Sequence, residues 1–324
     1  MKAVKFAIIG AGGIANQFVK AVKNTDKAEV IMVASKDMEK VRAFSEKHGI
    51  EKFGTYKEVY ENPEVEAVYV STTHNFHHDI IIDALNSGKH VLCEKAMVLS
   101  EKEAEDVINL SREKRLLLME AMWSRHNPAV KKVREWIAEG KIGRFVTGNL
   151  SWGFEASHDP KHRLINPDLA GGAAWDIGVY ALLTTDYVIG KKPIAIKTLC
   201  KYGETGVDMI DHYALLYDDG IVSLTCNLCC NMPFTVGFNG TKGYIKADGL
   251  PFANTVELYN SDGTLIEKFV DPDERKQGVN VNGFIYQVEE AARCIREGLV
   301  ESPIVPHADS LWSTKIYDML LSEK

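Results

Sequence analysis

The sequence predicts an α/β chain in two parts: a doubly wound parallel sheet at the N-terminal end, then an α+β domain on an open, mainly antiparallel sheet. Three observations predict it. Strand-length apolar runs alternate with helical periodicity through residue 119, a glycine-rich turn joins the first strand to the first helix, and after residue 127 hairpin-connected strand patterns take over. With 324 residues, 45% of them hydrophobic, the chain is long enough for two domains with their own cores.

The apolar runs Val4 to Ile9, Val30 to Ala34, Ala67 to Ser71, Val91 to Cys93 and Leu116 to Met119 are nearly continuous, as strands covered on both faces require. Between them Ala15, Phe18, Val19 and Val22 fall at helical spacing, as do Ile80, Ile81, Ala84 and Leu85 before Gly88. Asp37 reads as the N-cap of a helix from Met38, and Ser100 with Glu103 as a capping box. Such alternation implies a doubly wound domain with its ligand at the carboxyl ends of the strands.

Asn127-Pro128 reads as an N-cap with proline at N1, opening a helix that Gly140 closes. Strand patterns follow at Arg144 to Trp152, Tyr213 to Tyr217, Ile221 to Asn227, Phe234 to Phe238, Tyr244 to Ala247, Val256 to Tyr259 and Leu265 to Phe269. Turn signals at Asp219-Gly220, Gly240 to Gly243 and Ser261 to Gly263 connect them. One helix, Ala173 to Ile189 before Gly190, interrupts the strands, and two more close the chain. These patterns give residues 1–123 as one domain and 124–324 as the other, with the C-terminal helix able to pack back onto the first. An open sheet rich in Val, Leu, Phe and Tyr leads us to expect an apolar outer face, and with it a homodimer or a dimer of dimers.

A net charge of -7 and an isoelectric point near 5.8 disfavour nucleic acid and anionic membrane as partners and favour small molecules. No apolar run reaches membrane-span length and no leader pattern precedes the first strand, so a cytoplasmic protein is expected. Six cysteines do not make a disulfide framework. Cys226, Cys229 and Cys230 resemble half a zinc site, but no second Cys/His pair stands at ligand spacing, so they read as small strand residues and no metal is expected.

Gly10, Gly12 and Ala15 follow a strand and open a helix, the context that makes a dinucleotide fingerprint of a glycine pattern. With Gly13 and Ile14 they would let the backbone approach a pyrophosphate at the helix N-terminus. Where NAD sites usually carry an acidic residue for the ribose, the second strand ends in Ala34-Ser35-Lys36, a hydroxyl and a cation suited to a 2'-phosphate. NADP is therefore expected, with NAD possible. Thr72, His74 and His77, after the third strand, are candidate cofactor contacts; a histidine tied to backbone is the alternative reading for both rings.

Glu94-Lys95 ends the fourth strand, where a lysine can stabilise an alkoxide. Asp176 and Tyr180 lie four apart on one helix and project from one face. Free tyrosine, with a pKa of about 10, is a poor base, but a nearby ammonium such as that of Lys95 favours the phenolate.

These features resemble the glucose-fructose oxidoreductase, inositol dehydrogenase and rhizopine-catabolism family, Gfo/Idh/MocA. The resemblance spans nearly the whole chain: the Gly10 fingerprint, His77, Ala84-Leu85, Gly88 to Lys95, Gly171-Gly172-Ala173 leading to Asp176, and Gly240-Thr241-Lys242-Gly243. Within the family, the dimeric dihydrodiol dehydrogenase branch is similar in Met119 to Arg125, Tyr180 and Glu204 to Asp208. The resemblance implies a Rossmann domain, a second domain used for dimerisation, and NADP-linked oxidation of sugars, polyols or cyclic diols, with Lys95 and Tyr180 handling the proton. The family usually has proline after Glu-Lys; here Ala96 stands there, so a trans Lys95–Ala96 bond is expected. Arg125, Phe154, His158, Arg163 and Trp175 are candidates for the substrate wall. The competing function is a non-catalytic NAD(P)-sensing regulator on the same fold.

Overall fold

The computed structural model describes residues 2–276 and 283–322, and the chain divides into two compact units. One comprises Met1–Trp123 with Glu274–Thr314, the other Ser124–Asp273 with Lys315–Lys324.

In the first unit, strands β1 (Val4–Ile9), β2 (Ala28–Ala34), β3 (Lys52–Gly54), β4 (Ala67–Val70), β5 (His90–Glu94) and β6 (Leu118–Ala121) form one sheet in the order 3-2-1-4-5-6. Every neighbouring pair is parallel. The strand order reverses between β1 and β4, which places a crevice for ligand at their carboxyl ends. Helices α1 (Gly13–Val22), α2 (Met38–His48), α3 (Tyr56–Glu61), α4 (His77–Asn86) and α5 (Glu101–Lys114) connect the strands. The apolar runs become the core because helices cover both sheet faces; Phe6, Ala7, Ile8, Val68 and Val70 have no exposed surface.

Local chemistry sets the helix starts. Asp37 accepts from the backbone N–H groups of Glu39 and Lys40 and so caps α2, as expected. The α5 cap is half of the expected box: Ser100 accepts from Glu103 N, but Glu103 accepts from Leu99 N at 2.9 Å. A complete box, Thr55 with Glu58, opens α3, an element the periodicity does not show because it is six residues long.

In the second unit, after a short helical turn α6 (Trp123–His126), Asn127 caps α7 (Pro128–Ala138) through Ala129 N. Eight strands follow: β7 (Phe145–Gly153), β8 (Ala195–Tyr202), β9 (Asp208–Leu216), β10 (Ile221–Asn227), β11 (Met232–Gly240), β12 (Gly243–Asp248), β13 (Thr255–Asn260) and β14 (Leu265–Val270). They form one sheet in the order 14-13-12-11-7-10-9-8. All pairs are antiparallel except β7 with β10. Between β7 and β8 lies α8 (Val179–Ile189), buried along most of its length and ended by Gly190 at φ 76°.

The outer face of this sheet corrects the expectation of a broad apolar surface. Alternation on β7 and β10 turns Leu150, Val222, Leu224 and Cys226 inward and leaves Thr147, Asn149 and Ser223 outward. Apolar exposure lies toward both edges instead, at Leu199 (70% exposed), Leu216 and Ile221 on the β8 side and at Leu265, Ile266 and Val270 on β14. Cys226 is a small buried strand residue as read, whereas Cys229 and Cys230 lie beyond the strand and are exposed.

Helix α9 (Phe284–Arg296) packs on α1, and α10 (His307–Ser322) follows it. Thr25 donates to Glu289 at 2.9 Å, and Arg296 bridges to Glu66 at 2.6 Å. Glu274–Thr314 group with the first unit, whereas the sequence-based division gave 124–324 as one domain with its C-terminal helix able to pack back onto the first.

Candidate active site

The first unit builds a nucleotide cradle from the ends of β1, β2, β4 and β5. Gly10 has φ 107°, and a Cβ there would lie 2.7 Å from Ser71 O, so only glycine lets β1 and β4 approach this closely. Gly12 is the N-cap of α1, which has no side-chain cap and no acidic residue in its first turn. A Cβ at Gly13 would meet nothing within 4 Å. Open backbone N–H groups at a helix start beside open space fit a pyrophosphate. Ile14 and Ala15 continue α1, and Ala15 is buried against the sheet.

At the end of β2, Ser35 Oγ accepts from Asp37 N at 3.2 Å, and the exposed Lys36 holds its ammonium 4.2 Å from the centre of the Phe76 ring. Asp37 is committed to capping α2. At the end of β4, Ser71 Oγ donates to Gly10 O at 2.9 Å, and Thr72 is half-buried next to it.

The end of β5 is held by buried polar groups. Glu94 accepts from the hydroxyl of Tyr69, whose ring stacks on Phe18 at 3.8 Å. Burial raises the Glu94 carboxyl to about 7, against the pull of the Tyr69 bond and the Lys95 charge. Lys95 follows, half-buried. The Lys95–Ala96 peptide is cis, which corrects the expected trans bond. Ring nitrogens hold both carbonyls at this step: His74 Nε2 lies 3.1 Å from Lys95 O, and His77 Nδ1 lies 3.0 Å from Ala96 O. Glu120 then accepts from Met97 N at 3.0 Å, so the backbone geometry here is set by hydrogen bonds and not by a proline ring.

His77 also lies 3.2 Å from Thr72 O and is completely buried, with burial as the main cause of its lowered pKa. It is a strut between the β4 and β5 loops and has no surface for a cofactor, which corrects its place among the candidate contacts. His74 is half-buried, and its bond to Lys95 O ties it to the candidate catalytic residue.

In the second unit, Gly171 and Gly172 lead into a π-helical turn, Ala174–Gly178, that runs into α8. The expected single helix thus begins with a wider turn, a feature often found at functional sites. Asp176 lies on it, buried, with Oδ1 3.1 Å from Nη1 of Arg163. Tyr180 lies on the first turn of α8, its ring 5.6 Å from that of Trp152. Trp152 stacks on Phe234 at 4.9 Å and meets the edge of Phe252 at 5.3 Å, with Phe154 at 6.4 Å.

This aromatic wall brings Phe154 to Tyr180's neighbourhood and adds Trp152, Phe234 and Phe252, which sequence reasoning missed. Trp152 near the end of β7 and Phe154 just past it stand two apart, which was a readable signal; their cross-strand partners were not readable. Trp175 is half-buried, and its buried indole Nε1 has no hydrogen-bond partner among the described residues. His158 is exposed and pairs with Glu155 at 3.1 Å. Arg125 does not belong to the wall: it is fully buried, donating Nε to Leu183 O at 2.8 Å and Nη2 to Asp186 Oδ2 at 3.0 Å. A guanidinium so buried requires paired acceptors, and they fix it as a structural group.

The comparisons with known proteins follow this division. A family model described as an oxidoreductase family with an NAD-binding Rossmann fold matches residues 4–122, and one described as the GFO/IDH/MocA C-terminal domain matches residues 130–246. A trans-1,2-dihydrobenzene-1,2-diol dehydrogenase from Mus musculus is 34% identical over 315 residues, covering 95% of this chain and 93% of that protein. A levoglucosan dehydrogenase solved with NADH and levoglucosan superposes with a TM-score of 0.86 at 19% identity, over 99% of this chain and 96% of the other. The 3-ketoreductase KijD10 from Actinomadura kijaniata, solved with NADP and TDP-benzene, gives 0.85 at 24% identity, over 99% and 97%. With a nucleotide cradle on a 3-2-1-4-5-6 sheet and a relative this similar along almost its whole length, the chain belongs to the Gfo/Idh/MocA oxidoreductase family.

Proposed function

We propose that the protein is an NADP-dependent dehydrogenase that oxidises a hydroxyl carbon of a sugar, polyol or cyclic trans-diol. The observation that carries this reading is the convergence of Gly10, Gly12, Thr72 and Lys95 on one edge of the parallel sheet. That edge offers open N–H groups for a pyrophosphate and a cation at the strand end where substrate chemistry occurs in this architecture. A nicotinamide cofactor held at this edge would supply the hydride-accepting chemistry for oxidation of a carbinol carbon.

The chain's own residues handle the proton. Tyr180 accepts it from the substrate hydroxyl, Lys95 stabilises the developing alkoxide, and Asp176, oriented by Arg163, holds the hydrogen-bond network. Ser35 and Lys36 receive the 2'-phosphate that distinguishes NADP from NAD. Trp152, Phe154 and Phe252 supply flat apolar surface beside Tyr180, which suits a ring-shaped substrate. The domestic setting we infer is the cytoplasm, in keeping with six cysteines that all stand as thiols.

We also infer a homodimer or dimer of dimers, joined through the Leu199, Leu216 and Ile221 end of the open sheet. Sedimentation at micromolar concentration as a species near the 36.1 kDa chain mass would overturn it. The function itself is tested by incubating the protein with NADP or NAD and a panel of sugars, polyols and cyclic trans-diols, following reduced cofactor by absorbance. Turnover of at least one cyclic member with NADP is expected. Tight cofactor binding with no turnover of any member would return the reading of a sensing regulator.

A further inference from the structure

Beneath the π turn lies a pair of buried carboxyl groups that the mechanism above does not use. Asp208 and Asp211 are three apart on β9, a spacing that puts residues of a regular strand on opposite faces. Here the register with β8 slips: Tyr202 pairs with Asp208 and Lys201 with Ile210, so Met209 is an extra residue. The resulting bulge brings both side chains to the inner face, where Asp208 is 1% and Asp211 0% exposed.

Asp208 Oδ2 accepts from Ala174 N at 2.6 Å, and the backbone of Ala173 also bonds to this carboxylate. A Cβ at Gly172, whose φ is 139°, would collide with Asp208 Oδ1, so the carboxylate fits only against a glycine there. Around the pair lie Cys200 on β8, Tyr202 at its end, Tyr213 on β9 and Cys226 on β10, with Tyr317 of α10 beside Tyr213. Tyr213 backs the same turn, since a Cβ at Gly178 would lie 2.8 Å from its hydroxyl.

Two adjacent carboxyl groups this deep cannot both be ionised. Burial raises both carboxyls, but the Asp208 charge adds to it at Asp211, which rises to about 9, whereas the Ala173 and Ala174 N–H groups and the bond from Asp211 pull Asp208 back down; the shared proton therefore sits on Asp211 and the negative charge on Asp208. The anion thereby anchors the start of the turn that carries Asp176 and, one turn later, Tyr180.

We propose that Asp208 is a positioning residue: through Ala174 N–H it fixes the π turn in the register that Asp176 and Tyr180 need for proton transfer. This rests on the catalytic reading of Tyr180. The test uses the full chain with Asp208→Ala, Asp208→Asn and, displacing the carboxylate from the other side, Gly172→Ala. Two measurements are made on each folded variant: amide hydrogen exchange over residues 173–178, and kcat, KM and cofactor Kd.

Asp208→Ala should speed exchange in that segment by roughly tenfold or more, the loss of one charged hydrogen bond. Its kcat should fall about 10- to 100-fold, the scale of a misplaced catalytic group, with cofactor Kd within about twofold of the parent. Asp208→Asn keeps an oxygen for Ala174 N–H and should recover most of the turnover. If Asp208→Ala does not fold, Gly172→Ala provides the same comparison. Unchanged exchange in the folded variants, or faster exchange with undiminished kcat, would overturn the proposal. Turnover that survives Tyr180→Phe defeats the catalytic reading instead, and the exchange rates still decide whether Asp208 holds the turn.

Discussion

Arg163 and Asp176, thirteen residues apart, meet at 3.1 Å, pairing a candidate substrate contact with a candidate catalytic carboxylate. The arginine side chain is 51% exposed and the aspartate 11%, so solvent screens the pair and its stabilising contribution is at most about 1 kcal/mol. Its value is orientation. Arg163→Ala should leave thermal stability almost unchanged while lowering kcat/KM by about tenfold, with Arg163→Lys intermediate because a single ammonium cannot reproduce the planar fork. Steady-state kinetics with an unaltered kcat/KM in Arg163→Ala would show that the pair does not serve the reaction.

Cofactor choice is tested at Lys36. Its ammonium over the Phe76 ring is exposed and available to a dianionic group. Lys36→Ala should weaken NADP by about 10- to 100-fold, the range of a charge-assisted hydrogen bond, and leave NAD within about twofold. Fluorescence titration showing equal losses for the two cofactors would remove Lys36 from the 2'-phosphate site.

The proton-handling pair makes a stronger demand. Tyr180→Phe should keep cofactor affinity yet lose turnover by about 10²- to 10⁴-fold, and Lys95→Ala should do comparable damage. The double variant should be little worse than either single one, because groups that act as a unit are not additive. Losses that multiply in the double variant would mean that the two residues act independently. Full turnover in Tyr180→Phe would shift the base to Asp176 or His158.

Glu94 makes a prediction about pH. Its carboxyl titrates near 7 in the folded protein against an ordinary value of 4.5, so between those values the native state binds more protons than the unfolded chain. Stability from this group is therefore full below pH 4.5 and is lost as pH rises toward 7, at no more than about 1.4 kcal/mol per pH unit for one proton. His77 and His90, lowered mainly by burial, act in the opposite sense, so the parent curve alone mixes the two. The difference between the parent and Glu94→Gln isolates the carboxyl: the variant should gain relative stability as pH rises through this window. Parallel denaturation curves from pH 4.5 to 7 would contradict the raised carboxyl.

Much of the first unit was legible because its information is local. Val4–Ile9 was readable to the residue from apolar continuity, and the Gly10 to Ala15 turn from its place between strand and helix. Asp37 and Asn127 announced their helices by capping chemistry. What was missed depends on partners distant in sequence. Strand β8 alternates with Lys197, Lys201 and exposed Leu199, so its apolar signal is diluted at the sheet edge. Arg125 looked like a polar wall residue because the Asp186 that buries it lies 61 positions away. The parallel β7–β10 pairing, the Met209 bulge and the stacking of Phe234 on Trp152 are likewise matters of register, which composition and periodicity do not encode.

The central place of β7 has a consequence for biosynthesis. It is the first strand of its sheet to be made, ending at Gly153, yet its two neighbours begin only at Ile221 and Met232. While the ribosome delivers the intervening stretch, both edges of β7 are open templates for a strand from another chain. Nascent or truncated chains that stop between those points should therefore be the ones that aggregate, and chaperone engagement should peak there and fall once β10 and β11 have emerged.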